Sequence, residues 1–216
     1  MRSEPGLRER KKQQTRNAIA AAAMQLFAER GFDAVSVAEV ASAADVSVAT
    51  VFNYFPTKED LVYDRMEAFE EELLAAVRER EADESVLSAF GRFILERTRQ
   101  AAAPDVSERV ATLARIVTAS PALMARELQV VARYTEALAA LIAEETGAAD
   151  DDVEPWVAAD ALMSVHRALI DYARRSALTG RPSASLARDI RVQGERALSL
   201  LERGLGDYGI KSRRSG

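Results

Sequence analysis

Thr50, Asn53 and Tyr54, with Ala49 beside them, lie on one side of a short helical stretch that carries no charge from Val48 to Phe55. Their chemistry suits the edge of a nucleic-acid duplex. A threonine hydroxyl hydrogen-bonds a base or a phosphate, an alanine methyl rests against a thymine methyl, and an asparagine amide pairs with adenine when it reaches into the groove. The Tyr54 hydroxyl suits a phosphate, and Phe52 stands near the border of the face. Past Pro56, Lys58 sits at the junction where a phosphate would run. With no large charge on it, this face can approach base edges closely.

Short elements must hold those residues, and the flanking sequence predicts them. Ser36-Val37-Ala38-Glu39 is a capping box, in which the serine hydroxyl accepts from an orphan N–H and the glutamate reaches back to the cap. Val37, Val40 and Ala41 follow at the spacing of one buried helix face. Asp45 and Val46 interrupt the helix; a turn here often needs left-handed backbone, which Asp tolerates better than most residues. Ser47 can cap the next helix, whose Val51 and Phe55 point inward together. Pro56 ends it, and Thr57-Lys58-Glu59-Asp60 opens another with a Thr-x-x-acid cap. The pattern predicts a helix-turn-helix that places its second helix in DNA; it also fits an ordinary pair of core helices with polar outer faces.

From about Arg16 to Leu61 the chain resembles the TetR family of bacterial transcriptional regulators, through LFAERGF, then SVAEVASAADVS, then VATVFNYFPTKEDL. The last segment is the specific part. Asp45 stands where the family usually has a turn glycine, Ala49 where it often has glycine or another small residue, and Phe52 where its first tyrosine is frequent, so one hydroxyl contact is missing. The resemblance implies DNA contacts from Ser36, Ser47, Thr50, Tyr54 and Lys58, with Ala49, Phe52 and Asn53 facing the bases or the groove wall. Arg16, at the end of a basic arm, is counted with them.

Charge divides along the chain. The net charge is −5, yet residues 1–16 carry Arg2, Arg8, Arg10, Lys11, Lys12 and Arg16 against only Glu4 and Glu9. Such an arm can reach the minor groove or backbone and release counterions. The acid excess lies after residue 65, in runs such as Glu70-Glu71-Glu72 and Asp150-Asp151-Asp152, which read as solvated helix ends and loops. There is no cysteine and one histidine, which removes disulfide scaffolds, redox motifs and multi-ligand zinc sites. No apolar run nears a bilayer span and no secretory signal is read, so a cytoplasmic protein is expected. Phosphate-loop, nucleophile-elbow and dinucleotide-binding motifs are missing, and His166 lacks the Glu-x-x-His context of a di-iron bundle. We therefore expect no enzyme, no cofactor and no metal.

The chain reads as all-α, with few glycines and prolines and no alternating strand pattern. The expected organisation is a basic arm and start of the first helix at 1–15, a three-helix DNA-binding domain at 16–61, a helical effector-binding and dimerisation domain at 62–205, and a frayed tail at 206–216. Val62, Met66, Phe69 and Leu73 predict one continuous helix, the natural lever between the two domains. Helices are further predicted over Val86–Arg99, Val106–Ala119, Ala122–Thr146, Pro155–Leu178 and Ser183–Leu205. Trp156, Ala159, Met163, His166, Ile170 and Ala173 repeat at three and four on one helix, and Ile190, Gly194, Leu198, Leu201 and Leu205 make a stripe on the last. By resemblance these two helices form a four-helix homodimer interface; by pattern alone they are equally monomer core. Independently, one small head makes few contacts, whereas a twofold dimer reads two half-sites.

Regulators of this family bind a small molecule in the body, and Phe90, Phe93, Arg115, Met124, Tyr134, Met163, His166 and Tyr172 are candidates to line the site. The expectation is a ligand-responsive regulator, a repressor released from palindromic double-stranded operator DNA by an effector. The alternatives are an activator of the same fold, or a helical protein-interaction scaffold that has lost DNA binding.

Overall fold

A computed structural model describes residues 6–64, 66–100, 104–179, 183–205 and 210. The described residues are helical: α1 (Leu7–Arg30), α2 (Val37–Ala43), α3 (Val48–Tyr54), a 3₁₀ turn (Glu59–Leu61), α4 (Met66–Arg78), α5 (Val86–Gln100), α6 (Pro104–Thr118), α7 (Pro121–Thr146), α8 (Glu154–Leu178) and α9 (Ser183–Leu205). No strand occurs among them. The chain forms two compact units. One, the head, comprises Met1–Arg65 with Arg115–Arg126; the other, the body, comprises Met66–Ala114 and Glu127–Gly216.

The head is built around α1. Ile19, Ala23 and Phe27 recur every four residues and are buried, and Phe32, Val35, Val40, Ala41, Val51, Phe55 and Leu61 complete the same apolar centre. Phe27 meets Phe32 edge-on at 5.1 Å between ring centroids. Gly31, at φ 84°, ends α1 and returns its N–H to the Phe27 carbonyl. A side chain would be strained in that backbone conformation. Arg8, Arg10, Lys11 and Lys12 lie exposed on the first turns of α1, so the basic arm is helical from Leu7. The remainder of the predicted arm, residues 1–5, and most of the predicted tail, 206–209 and 211–216, lie outside the described residues.

The expectation of one helix running from Leu61 through Leu73 is corrected. After the 3₁₀ turn, residues 62–64 form a turn in which the Val62 and Tyr63 N–H groups both donate to the Glu59 carbonyl, and α4 is described from Met66. The apolar stripe is real, since Val62, Phe69 and Leu73 are all buried, but burial does not require a continuous ladder.

The body core collects Phe69, Leu73 and Val77 of α4, Leu87, Phe90 and Ile94 of α5, Val130, Tyr134, Leu138 and Ile142 of α7, and Leu162, Met163 and Leu169 of α8. Each fully buried Leu, Met or Phe contributes roughly 1.5–3 kcal/mol. Helix α9 joins this core from inside the same chain. A β-carbon at Gly194 would stand 3.0 Å from Leu95 Cδ2 and 3.4 Å from Leu169 Cδ1, and one at Gly91 would stand 3.1 Å from Leu198 Cδ1. Glycine here lets α5, α8 and α9 approach closely.

Among the described residues no buried side-chain nitrogen or oxygen lacks a hydrogen-bond partner. Arg80 donates to the Val77 and Glu84 carbonyls and pairs with Glu145.

Candidate nucleic-acid interface

Each helix of the reading motif is capped by its own neighbours. The Ser36 hydroxyl accepts from Glu39 N–H at 3.2 Å and donates to Glu39 Oε2 at 2.7 Å, while the Ser36 N–H donates to the same oxygen at 2.8 Å. Arg30 Nη1 holds the other carboxylate oxygen at 2.7 Å. The Ser36 amide and hydroxyl, then Arg30, pull the Glu39 pKa down to about 2. At the head of α3 the Ser47 hydroxyl accepts from Thr50 N–H at 3.0 Å and shares a 2.8 Å hydrogen bond with the Thr50 hydroxyl.

Between the helices Asp45 takes φ 53°, the left-handed conformation expected of that position. Val46 N–H reaches the Ala41 carbonyl at 3.0 Å and Asp45 N–H the Ser42 carbonyl at 3.2 Å, the paired bonds of a Schellman turn. Past Pro56, Thr57 N–H donates to Asp60 Oδ2 at 3.0 Å and Asp60 N–H to Thr57 Oγ1 at 3.3 Å, the reciprocal cap anticipated from the sequence.

These caps fix an α3 whose outward residues are Ala49, Asn53 and Phe52, the last 46% exposed, with Thr50 and Tyr54 half-buried. The helix has no charged residue. Ser36 and Ser47 are exposed, but their hydroxyls already serve as caps. A serine hydroxyl has one proton to give, so Ser36 offers a lone pair and no donor while Glu39 holds its hydrogen.

Two cations assigned to DNA by sequence are engaged within the head. Arg16 donates to the Tyr54 carbonyl and the Asp64 carbonyl, both at 2.9 Å, and its guanidinium lies 4.5 Å from the Phe55 ring centroid. It therefore places a positive charge on the carbonyl end of α3, where the helix dipole favours one. Lys58 Nζ donates to the Phe32 carbonyl at 2.6 Å and sits 4.1 Å from the Phe32 ring centroid. Both side chains fasten α3 or its exit to α1 and the loop after it.

Sequence reasoning missed the contribution of residues 115–126 to the head. Ser120 is buried and donates to Asp33 Oδ1 at 2.9 Å, Tyr63 donates to the Leu123 carbonyl at 2.9 Å, and Arg126 grips Asp60 Oδ1 through Nη2 at 2.7 Å. The partners are 60 to 87 residues apart, and no local spacing signals them. Arg115 and Met124, expected to line an effector site, belong to this head unit and are exposed.

The other six effector candidates share the body interior. Phe69 is their centre, although it was read only as part of a stripe. It lies 5.5 Å from Phe93, 4.9 Å from Tyr134 and 4.7 Å from His166 between ring centroids, and the Arg97 guanidinium covers it at 4.9 Å. Phe90 and Met163 are closed within the core, and Tyr172 packs against it. Burial, then the Arg97 charge, lowers the His166 pKa to about 4, and burial raises Tyr134 to about 12 while its hydroxyl donates to the Met66 carbonyl at 3.0 Å.

Of the residues read as a dimer seam, Ala159, Ile190 and Gly194 turn inward and are buried by their own chain, and Ala173, Leu198 and Leu201 pack against the body core. Ile170 is half-buried, and Trp156 is 53% exposed.

Residues 19–63 match the family model described as bacterial regulatory proteins, tetR family. The chain is 33% identical over 156 residues to the HTH-type transcriptional regulator TcmR of Streptomyces glaucescens, covering 70% of this chain and 69% of that protein. The chain belongs to the tetR family. Its fold is that of solved family members. Salmonella enterica GusR superposes with TM-score 0.55 at 24% identity, covering 89% of this chain and 96% of that one. NalD, the secondary repressor of the MexAB-OprM multidrug efflux pump in Pseudomonas aeruginosa, superposes with TM-score 0.53 at 21% identity, covering 87% and 97%. This tetR-family protein is thus a DNA-binding transcriptional regulator, with α2 and α3 as its helix-turn-helix. No described helix is long and apolar enough to cross a membrane.

Proposed function

We propose that this regulator is a homodimeric repressor, held on a palindromic operator until a small molecule binds its body. The observation that carries the reading is the uncharged outer face of α3, held by caps on both helices and by Arg16 at its carbonyl end. Ala49, Thr50 and Asn53 read bases, while Arg8, Arg10, Lys11 and Lys12 on α1 supply the attraction to phosphate. Dimerisation is supported by the outer faces of α8 and α9, where Trp156, Val157 and Leu200 are 53%, 61% and 65% exposed and Val192 is 40% exposed. Effector binding is supported by the aromatic group around Phe69. A neutral imidazole at His166 offers one donor and one acceptor there.

Selection of duplexes from a random library, followed by fluorescence anisotropy on the selected and a scrambled duplex at two salt concentrations, tests the reading. A twofold-symmetric site bound far more tightly than the scrambled duplex is expected. Equal binding to both, or none, would favour an interaction scaffold. Thr50→Ala should cost about 1–3 kcal/mol on the selected site and little on the scrambled one; equal losses would make Thr50 a phosphate contact.

A further inference from the structure

We propose that α3 reads A·T pairs, recognising thymine by its C5-methyl through Ala49 and Phe52 and adenine through the Asn53 amide, a refinement that rests on the proposed role of α3 as the reader of base edges.

The outward side chains of α3 form one patch. Val48 and Phe52 are four residues apart, as are Ala49 and Asn53, and side chains at that spacing lie beside one another on a helix. All four are exposed. Three of them end in hydrocarbon, which gains nothing from water. On the major-groove edges of the base pairs the apolar group is the thymine methyl, so an apolar patch presented there has thymine as its partner.

Elimination base by base gives the same answer. Guanine is read chiefly by Arg or Lys at O6 and N7, and cytosine by Asp or Glu at N4; adenine is read by Asn or Gln at N6 and N7, and thymine by the methyls of Ala or Thr or by Phe. The sequence of α3, VATVFNY, holds no charged residue, so it lacks the usual readers of guanine and cytosine. It holds readers of both other bases, and they face outward. The cations that flank it do not fill the gap. Arg16 donates to the Tyr54 and Asp64 carbonyls, and Lys58 donates to the Phe32 carbonyl. Thr50 is also partly committed, since its hydroxyl lies 2.8 Å from the Ser47 hydroxyl, which accepts the Thr50 N–H as well. One of the two hydroxyl protons is spent between those oxygens, leaving Thr50 its methyl and at most one donor. Attraction to phosphate falls to the exposed Arg8, Arg10, Lys11 and Lys12 on α1, which position the helix without choosing a sequence.

The test uses the full-length protein and the duplex it selects from a random library. Each thymine of the selected site is replaced in turn by deoxyuridine, which keeps the base pairing and lacks only the methyl. Each adenine is replaced by 7-deazaadenine, which lacks only the N7 acceptor. By fluorescence anisotropy, loss of a contacted methyl should weaken binding about fourfold, and loss of a contacted N7 at least about fivefold, the low end for a bidentate base contact. Phe52→Ala should erase the deoxyuridine effect at one position, and Asn53→Ala the 7-deazaadenine effect at one position, because a contact already lost is not lost twice. Both residues are exposed, and an unchanged thermal midpoint would show the head intact; the altered duplexes leave the protein untouched in any case. Effects below about twofold at every thymine and adenine, or effects that neither variant removes, would overturn the inference. G·C pairs at the positions whose preference the variants alter in a repeated selection would overturn it too, while keeping α3 as the reader of base edges. If the variants weaken selected and scrambled duplexes equally and select the same sequence as wild type, α3 does not face bases, and the inference falls together with the role it refines.

Discussion

The helix-turn-helix and the body are both made of amphipathic helices, but different ranges of interaction determine what each residue does. In the head, α2 and α3 have seven residues each, and their boundaries are set by side chains three positions away: Ser36 with Glu39, Ser47 with Thr50, Thr57 with Asp60. In the body, helices run to 26 residues, and a residue's part depends on what the fold brings against it. A stripe at three-and-four spacing states that a face is covered. It does not state by what, since a partner helix and a helix of the same chain ask for the same side chains. Gly194 illustrates this: its missing β-carbon serves Leu95 and Leu169 of its own chain.

The contrast can be broken most sharply at Phe90. If it is packed core, as its complete burial indicates, Phe90→Ala should cost about 3–5 kcal/mol in urea unfolding. A loss below about 1 kcal/mol would show a site that already opens for a ligand. Lys58 poses the corresponding question in the head. Lys58→Met keeps the stem and removes a charge-assisted hydrogen bond to Phe32, so a loss of about 1.5–3 kcal/mol in stability is expected. Unchanged stability with a salt slope for DNA binding reduced by about 1 would return Lys58 to the phosphate backbone.

What was legible follows the same division. The caps at Ser36, Ser47 and Thr57 and the left-handed Asp45 could be read because the atoms that satisfy them lie within one helical turn. The occupation of Arg16 and Lys58 could not, because their acceptors, the carbonyls of Tyr54, Asp64 and Phe32, lie 26 to 48 residues away. The turn at residues 62–64 was hidden because the stripe continues across it; hydrophobic spacing reports burial and is silent on the backbone ladder. Ser120 reads from the sequence only as the cap ahead of Pro121 and Arg126 as an ordinary helix residue; their partners Asp33 and Asp60 lie 87 and 66 residues away, and no local spacing points to them.

A smaller effect probes the turn. At Asp45, φ is 53°, a region that costs a β-carbon-bearing residue roughly 1–2 kcal/mol, with Asp and Asn least affected. Asp45→Val should destabilise the head by about that amount, whereas Asp45→Gly should lie within about 1 kcal/mol of wild type, measured by thermal unfolding. Equal effects of valine and glycine would mean that the turn does not hold this conformation in solution.

The finest distinction between the two regions is their response to acid. His166 has its pKa lowered from 6.5 to about 4, chiefly by burial, so the folded body resists a proton that the unfolded chain accepts. Its stability is full above about pH 6.5 and falls as pH drops toward 4, because unfolding then takes up a proton. Glu39 has its pKa lowered from 4.5 to about 2 by the Ser36 amide and hydroxyl and by Arg30. Its contribution is present above about pH 4.5 and is lost between there and pH 2. His166→Phe should therefore flatten the pH dependence of the unfolding midpoint only in the upper window, and Glu39→Gln only in the lower one. If His166→Phe leaves the slope between pH 4 and 6.5 unchanged, the imidazole meets water in solution, and the aromatic group around Phe69 is more open than a packed core.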